Sequence, residues 1–290
     1  MIFDSHCHVQ FNAYKNDADV VIKRTIEKGV KMLVVGSQNS TSQRAVEYAE
    51  KYPGHIWAAV GLHPVHLIEQ EVEEDEEHIK FKSREERFDF GFYKKLASHP
   101  KVVAIGEVGL EYYHQPKNIP FEELKKIQSE NFIQHCRLAD EFNLPVIIHC
   151  REAHADQTEL VKKIIAGGGL KKRGVVHCFT GDWSAAEKYL QMGFYIGFTG
   201  IITFSAKKSN LQPTLDLLEV VQKIPLDRFL VETDSPYLAP QSYRGERAEP
   251  WMVEEVVKKI AEIRQISITE VTEKALNNTQ KLFSFNFSTI

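Results

Sequence analysis

FDSHCHV, residues 3–9, places two potential metal ligands, His6 and His8, close behind a short apolar run. Four later stretches repeat this arrangement: VVAIGEVGL at 102–110, LPVIIHCRE at 144–152, RGVVHCFTG at 173–181 and RFLVETDSP at 228–236. Each apolar run is typical of a buried parallel strand bounded by turn or helix signals. The histidines and carboxylates at these strand ends are the six candidate ligands: His6, His8, Glu107, His149, His177 and Asp234.

The spread of these ligands over the whole chain favours a closed α/β barrel over an open sheet. In a (β/α)8 TIM barrel the C-terminal ends of all strands converge on one face, so distant parts of the sequence meet there. A doubly wound open sheet would gather its ligands from fewer strands, near one switch point. Because the first, fourth, fifth, sixth and eighth predicted strands all contribute, we predict a barrel with its metal site at the C-terminal ends of the strands.

Strand-like and helix-like segments alternate along the chain and give the number of strands that this barrel requires. The predicted strands are Ile2–Asp4, Lys31–Val35, Ile56–Val60, Val102–Ile105, Pro145–Ile148, Gly174–Val176, Phe194–Ile196 and Phe229–Val231. The clearest predicted helices are Ala18–Lys28, Ser40–Lys51 and Phe121–Phe142, and an amphipathic pattern begins at Val253. Ser267 with Glu270 forms the capping-box pattern that opens a last helix.

The size and charge of the chain fit one enzyme domain, 1–290. Its 290 residues are 43% hydrophobic and 26% charged, which are ordinary values for a globular protein with a sizeable core. The net charge of −4 includes no basic stripe of the kind that a stable, non-catalytic nucleic-acid-binding module needs. An enzyme that meets a polyanion only transiently does not need such a stripe, because bound cations supply positive charge locally.

Targeting signals and cysteine usage indicate a cytoplasmic protein. The N-terminus has neither a basic region nor an apolar core of a signal peptide, and no apolar stretch approaches the ~18 residues that cross a bilayer. Four cysteines, Cys7, Cys136, Cys150 and Cys178, show no CxxC spacing and no dense framework. We therefore expect reduced thiols and no membrane contact.

One acidic stretch interrupts the alternation of strands and helices. Residues 69–77 read EQEVEEDEE, with seven acids, and mixed charge continues to Arg87. We interpret 69–87 as an acidic surface insertion that forms a solvated helix or a mobile loop. The alternative is an acidic lid that screens substrates, since the stretch follows the third predicted strand and so begins on the ligand-bearing face.

The spacing of the ligands within each strand indicates which side chains point together. In His6-Cys7-His8 the two histidines lie on one side of an extended segment and the cysteine on the other. The same alternation turns Cys150 away from His149, and Cys178 away from His177. Thiolates bind zinc well, so the cysteines stay possible ligands, but we favour apolar packing for them.

Taken together, the motifs resemble the TatD family of metal-dependent deoxyribonucleases, within the amidohydrolase-like superfamily. Besides FDSHCHV, they are VGLHP at 60–64, IGEVGLEYY at 105–113, PVIIHCRE at 145–152, HCFTG at 177–181 and VETDSPYLAP at 231–240. They cover nearly the whole chain. The resemblance implies a (β/α)8 barrel, two divalent metal ions (Mg²⁺, Mn²⁺ or Zn²⁺) and hydrolysis of phosphodiester bonds in DNA, with single strands or 3′ ends as the expected substrate.

The resemblance also implies a role for each ligand. One metal would be held by His6, His8 and Asp234, and the second by His149 and His177, with Glu107 bridging the pair. A bridging carboxylate holds two cations about 3.5–4 Å apart, which suits in-line displacement at phosphorus. Glu107 and Asp234 would be the catalytic residues, Asp234 by orienting or deprotonating the attacking water.

Further residues are implied around the metals. His63, Arg151 and Arg244 are candidate substrate-binding residues, the arginines because a guanidinium grips phosphate bidentately. His63 could equally stabilise a turn, and Arg244 could be an ordinary surface arginine. Glu232 would support a metal ligand rather than touch the metal.

Two substitutions depart from the family pattern and bear on substrate preference. Ala248 stands where the family commonly has asparagine, and Glu111 stands where an aspartate is frequent. Aromatic residues near the strand ends, Phe198, Phe204 and Tyr237, are candidates for stacking on bases.

A related hydrolase is the main alternative reading. Such an enzyme would act on an amide, an ester, a lactone or an aminoacylated tRNA, because the same metals activate water against carbonyl groups. No lysine ends the fourth predicted strand to be carboxylated as a metal bridge, which favours Glu107 and the nuclease. The sequence pattern specifies no oligomeric state.

Overall fold

A computed structural model gives the architecture of the protein and describes residues 1–74, 79–83, 85–206 and 209–285. The strands of these ranges are β1 (Ile2–Cys7), β2 (Val30–Val35), β3 (Ile56–Val60), β4 (Glu71–Glu74), β5 (Ile79–Lys82), β6 (Val102–Glu111), β7 (Val146–Arg151), β8 (Gly174–Val176), β9 (Tyr195–Phe198) and β10 (Phe229–Val231). Eight strands form one parallel sheet in the order β1-β2-β3-β6-β7-β8-β9-β10.

Each strand of this sheet is followed by at least one helix. The helices are α1 (Ala18–Glu27), α2 (Asn39–Lys51), α3 (Phe90–Ala97), α4 (Phe121–Phe142), α5 (His154–Ala166), α6 (Trp183–Gln191), α7 (Gln212–Lys223), α8 (Val253–Arg264) and α9 (Ile268–Phe283). Ser267 Oγ accepts a hydrogen bond of 3.1 Å from the Glu270 amide, so the predicted cap opens α9. Among the helices of the described ranges, none is both long and apolar enough to pass through a bilayer.

The sheet closes into a nearly complete barrel where β1 meets β10. The Asp234 amide donates to the His6 carbonyl at 2.9 Å, and the His8 amide donates to the Ser235 carbonyl at 2.7 Å. These bonds join the first and last strands just beyond the end of β10. The predicted (β/α)8 barrel is confirmed, and the doubly wound alternative is wrong because the strands follow chain order without a switch point.

Two local predictions differ from the structure. The strand predicted at Val102–Ile105 continues to Glu111, because all ten residues of β6 are buried between β3 and β7. Within the acidic stretch, β4 and β5 pair as an antiparallel hairpin, so the predicted helix is wrong for those residues, while 75–78 and 84 lie outside the described residues. The stretch is anchored at its end, where Asn39 donates its amide to Glu86 Oε1 at 2.8 Å.

The two faces of the barrel strands pack into separate apolar clusters. Alternate residues form an inner cluster with the end of α9: Phe3, Leu33, Val35, Trp57, Ala59, Val103, Ala104, Ile147, Val175, Tyr195, Leu230, Leu282 and Phe283. Most of the intervening residues pack outward against the helices. On β7, β8 and β10 this alternation continues without interruption to His149, His177 and Glu232, which therefore face the inside of the barrel.

β-Bulges on β1 and β6 reverse the inward–outward alternation just before the candidate ligands of these strands, which are His6, His8 and Glu107. On β6, Ala104 packs inside and Ile105 outside, so simple alternation would turn Glu107 outward. The register against β7 instead advances three residues on β6, to Val108, while β7 advances two. The extra residue turns Glu107 inward. Gly106 lies in this bulge at φ 151°, where a Cβ would come within 2.7 Å of a β7 carbonyl oxygen.

The bulge on β1 has the same effect on the two N-terminal histidines. Phe3 belongs to the inner cluster and Cys7 to the outer one, and the register against β2 shifts between Asp4 and Cys7. This shift places His6 and His8 on the inner side, above Phe3. The prediction that Cys7 points the opposite way is confirmed, since its Sγ lies 3.5 Å from the Leu33 carbonyl oxygen.

Candidate active site

The six predicted ligands converge at the C-terminal mouth of the barrel. His6 lies on β1 and His8 directly after it, while Glu107 lies on β6 and His149 on β7. His177 and Asp234 follow the ends of β8 and β10. They border a cavity of about 610 Å³, except His6, which is fully buried beneath it. Residues more than 200 positions apart in the sequence are therefore neighbours at one site.

Glu107 lies at the centre of this cluster. Its Oε1 is 2.9 Å from His149 Nδ1, 3.2 Å from His177 Nε2 and 3.3 Å from His63 Nε2. One carboxylate oxygen thus contacts imidazole nitrogens from three different strand ends.

The second oxygen of Glu107 faces the β1 histidines. Oε2 is 3.4 Å from His6 Nε2 and 3.8 Å from His8 Nε2. Asp234 Oδ1 completes this side, 3.2 Å from His8 Nε2. The backbone of Asp234 lies in the left-handed region at φ 58°, which aspartate tolerates better than most residues and which is frequent at functional sites.

The donor atoms form three groups that could each hold a metal ion, with all atoms of a group within 4.8 Å of one another. The groups are His6–His177–Asp234, His6–His8–Glu107 and His63–Glu107–His149. Imidazole nitrogen and carboxylate oxygen suit zinc and other divalent transition metals. The residues present therefore fit a divalent cation, and Glu107 belongs to two of the three groups.

The three groups place His63 and His177 with partners that differ from those the family resemblance implies. His177 lies with His6 and Asp234, and its ring is 6.3 Å from that of His149. His63, which the sequence offered as a substrate contact or a turn-stabilising side chain, does stabilise a turn: its Nδ1 accepts from the Val65 amide at 3.1 Å. This bond leaves Nε2 directed at Glu107, so His63 is also a candidate ligand.

Backbone and side-chain acceptors fix the orientation of the histidines. His8 Nδ1 lies 2.7 Å from the Val35 carbonyl oxygen, which directs Nε2 into the cluster. Glu232 Oε1 is 3.2 Å from His177 Nδ1, and Oε2 accepts from Ser5 Oγ at 3.1 Å. Glu232 is fully buried and belongs to none of the three ligand groups found among the described residues; it contacts them through His177, as expected for a supporting residue.

Glu111 is a site residue that the sequence reasoning missed. Its Oε2 lies 2.9 Å from His149 Nε2, so His149 sits between two carboxylates. Glu111 Oε1 accepts from the amides of Tyr113 and His114 at 2.7 and 3.0 Å, which fixes the carboxylate in place. The signal was present, because Glu107 and Glu111 are four apart on one strand and share a face.

Charge in the cluster is balanced between carboxylates and imidazolium groups. Burial alone would raise the pKa of Glu107, but the charges of His63 and His177 outweigh it and leave that pKa well below its usual range. Burial alone would lower the pKa of His149, yet its hydrogen bonds to Glu107 and Glu111 raise it to about 9. A cation that binds through His149 would therefore have to displace a proton from its ring.

The two predicted phosphate-binding arginines lie at different depths. Arg151 borders the cavity, with its guanidinium 3.9 Å from the centre of the Tyr113 ring. Arg244 is exposed on the rim, with its guanidinium 4.2 Å from the centre of the Phe204 ring. Phe204 itself borders the cavity, so Arg244 is connected to the site through its aromatic partner, whereas Arg151 lines the cavity directly.

The remaining candidates from the sequence, which are aromatic residues and cysteines, lie either in the cavity wall or in the apolar core. Phe204 and Tyr237 border the cavity, but Phe198 is buried in the outer cluster, so its assignment as a base-stacking residue is wrong. Cys150 and Cys178 contribute to the cavity wall, and none of the three ligand groups among the described residues includes a cysteine. Tyr189 donates its hydroxyl to Cys150 Sγ at 3.7 Å.

Fold and site together define a (β/α)8 barrel with a histidine–carboxylate cluster at its C-terminal face. A family model described as TatD related DNase matches residues 3–284, and the chain belongs to this family. The uncharacterized metal-dependent hydrolase YabD of Bacillus subtilis is 38% identical over 288 residues, covering 99% of this chain and 100% of YabD.

Two further relatives match over nearly their whole length. The 3'-5' ssDNA/RNA exonuclease TatD of Erwinia tasmaniensis is 32% identical over 288 residues, covering 98% of this chain and 100% of that protein. The crystal structure of YJJV, a TatD homolog from Escherichia coli K12, superposes with a TM-score of 0.81 at 27% identity over 98% of both chains.

Proposed function

We propose that this protein is a metal-dependent hydrolase that cleaves phosphodiester bonds in DNA, from the 3′ ends of single strands. The observation that carries the proposal is the position of Glu107, whose two oxygens face two different sets of histidines. A carboxylate placed in this way suits a pair of cations. Its family is that of the TatD-related deoxyribonucleases.

The three ligand groups support two divalent cations that share Glu107. His6, His8, His177 and Asp234 would hold the first, and His63 and His149 the second. When bound, such a pair polarises the phosphoryl oxygen and lowers the pKa of a water molecule toward neutrality. Mg²⁺, Mn²⁺ and Zn²⁺ are the candidates, and the nitrogen-rich donor set favours the last two.

The protein's own groups would align the reaction. Asp234 borders the cavity with its side chain 16% exposed, so its carboxylate can orient the attacking water and accept its proton. Val35 and Glu232 hold His8 and His177 in place, so neither ring needs to reorganise during turnover. Arg151 would bind a phosphate oxygen beside the scissile bond.

The charges at the mouth of the barrel favour a polyanionic substrate that binds only at the cavity. The cavity wall carries Glu107, Glu111 and Asp234, which would repel a phosphate in the absence of cations. Arg151 and Arg244 add positive charge along the rim. A site of this kind binds a short stretch of backbone and does not require a basic face over the whole protein.

A cleavage assay on single-stranded DNA labelled at either end tests the proposal. With Mg²⁺, Mn²⁺ or Zn²⁺, stepwise loss of nucleotides from the 3′ end is expected, and removal of the metal by a chelator should abolish it. An amide, a lactone and an aminoacylated tRNA serve as the alternative substrates. Turnover of one of these without any cleavage of DNA would overturn the proposal and identify the related hydrolase.

We also propose a cytoplasmic location, which the thiols support. All four cysteines are free, and three of them are buried. Disulfides are rare in the reducing cytosol, where free thiols persist.

A further inference from the structure

Two arginine–aromatic stacks flank the cavity on separate parts of its rim. Tyr113 follows β6 and stacks with Arg151 at the end of β7, whereas Phe204 follows β9 and stacks with Arg244 beyond β10. β8 separates the two stacks on one side of the ring of strands, and β1, β2 and β3 separate them on the other. The histidine–carboxylate cluster therefore lies between the stacks.

Tyr113 is an aromatic side chain placed where a ligand can reach it. It is 38% exposed and borders the cavity, in contrast to its neighbour Tyr112, which is buried. Its backbone is anchored, because its amide donates to the same Glu111 carboxylate that contacts His149. Glu111 and Arg151 are also paired residues of the β6–β7 ladder. The stack is thus fixed relative to the ligand cluster.

A guanidinium lying over an aromatic ring makes a flat, positively charged platform. Nucleobases stack both on aromatic rings and on arginine planes, and the guanidinium can reach an adjacent phosphate at the same time. The planar group of an amide or a lactone is much smaller than a nucleobase and would cover less of such a platform.

We propose that Tyr113 and Arg151 form a nucleobase-binding subsite, opposite the Phe204–Arg244 stack, so that an unpaired strand crosses the mouth with a base at each stack. This proposal rests on the proposed function, since it supposes that a nucleic acid occupies the cavity. The backbone between the two stacks then passes the ligand cluster that contains Glu107. Bases in a duplex already stack on their neighbours, so this subsite selects single strands.

A double-mutant cycle between Tyr113 and one base tests the subsite. Oligothymidylate is compared with the same strand carrying an abasic nucleotide next to the scissile phosphate. For the wild-type enzyme we expect removal of the base to lower kcat/KM about tenfold, mainly through KM. Tyr113→Leu should lower kcat/KM on the intact strand by about the same factor and respond less than about twofold to removal of the base. Tyr113→Phe should behave as the wild type.

Matched controls separate a stacking role from a structural one. Phe121 is also 38% exposed but does not border the cavity, so Phe121→Leu should leave both substrates unaffected. If the losses caused by Tyr113→Leu and by the abasic nucleotide simply multiply, the subsite is refuted. If the wild-type enzyme cleaves neither strand nor bis(p-nitrophenyl) phosphate, which has no base, the proposed function fails instead.

Discussion

The inward-facing positions of the barrel strands carry apolar side chains at one end of the barrel and ionisable side chains at the other. At the N-terminal floor, Phe3 and Trp57 pack with Phe285 at ring separations of 4.6 to 5.6 Å, and the end of α9 closes the barrel. At the mouth, the same faces carry histidines and carboxylates that meet around Glu107. The floor supplies stability through apolar burial, and the mouth gathers charge at the expense of stability.

The comparison shows how a barrel separates folding from chemistry. Burial of apolar side chains is favourable wherever they pack, so the floor holds the strands in register without any ligand. Ionisable groups lose hydration when buried and need partners, so the mouth is stabilised by contacts among its own groups. Substitutions at the two ends should therefore change different measured quantities.

The largest effect is expected for Glu107→Gln at the mouth. The variant keeps the shape of the side chain but removes the charge that the histidines share. We expect the rate of DNA cleavage to fall about 10³-fold or more, with less than the full metal content by elemental analysis, in a protein that still folds.

Glu122→Gln is the matched control, since the Glu122 side chain is 85% exposed on α4 and should tolerate the change. Near-normal cleavage with full metal content in Glu107→Gln would show that this carboxylate is not the shared ligand.

At the floor, Phe3→Ala should act on stability instead. Phe3 is 2% exposed in the inner cluster, and truncating it leaves a cavity between β1 and α9. We expect the free energy of unfolding in urea to fall by about 3–5 kcal/mol. At temperatures where the variant is folded, its metal content should match the wild type. Loss of metal without loss of stability would mean that the two ends are not separable; Val20→Ala, at a 59% exposed site, gives the baseline.

Glu111→Gln should weaken the mouth more mildly. Glu111 acts on the site through His149, whose ring it orients and whose pKa it helps to raise. Loss of such a supporting carboxylate typically costs about 10- to 100-fold in metal affinity, measurable by competition with a chelating dye. Glu111→Asp keeps the charge and should recover part of the affinity. Unchanged affinity in Glu111→Gln would limit the role of Glu111 to packing.

The smallest effect is expected where β1 meets β10, at the ion pair between Arg247 and Asp17. The guanidinium donates to both oxygens of Asp17 at 3.0 and 2.6 Å and so joins the segment after β10 to the segment after β1. About a third of each side chain is exposed, so Arg247→Gln should lower the free energy of unfolding by only about 0.5–1 kcal/mol near neutral pH.

The pH dependence of that effect follows from Asp17. Hydrogen bonds from Arg247 lower the pKa of Asp17 below the ordinary value of an aspartate, so the pair stabilises the folded state at pH above that ordinary value. The stabilisation is lost as the pH falls through the lowered pKa, and the variant and the wild type should then unfold at the same temperature. A difference that persists in acid would assign the effect to the packing of Arg247 on Tyr14 instead. Lys126→Gln, at an exposed site on α4, is the control.

Much of the fold and the ligand set was predictable because local patterns carried the information. Short apolar runs and helix signals determined eight strands interleaved with helices, and their order alone implied one face where the ligands meet. The helix Phe121–Phe142 was predicted to the residue. The barrel alone brings the strand ends that carry the six candidate ligands to one face; these are His6, His8, Glu107, His149, His177 and Asp234.

Only the tertiary structure decided which way each side chain points and which residues it contacts. The alternation of the core would turn Glu107 away from the site, and only the bulge beside Gly106 reverses it, since a bulge depends on the register with the neighbouring strand. The approach of Glu111 to His149, and of Tyr113 to Arg151, likewise arises from the pairing of β6 with β7. A sequence determines which groups a strand carries, whereas non-local contacts determine which of them meet.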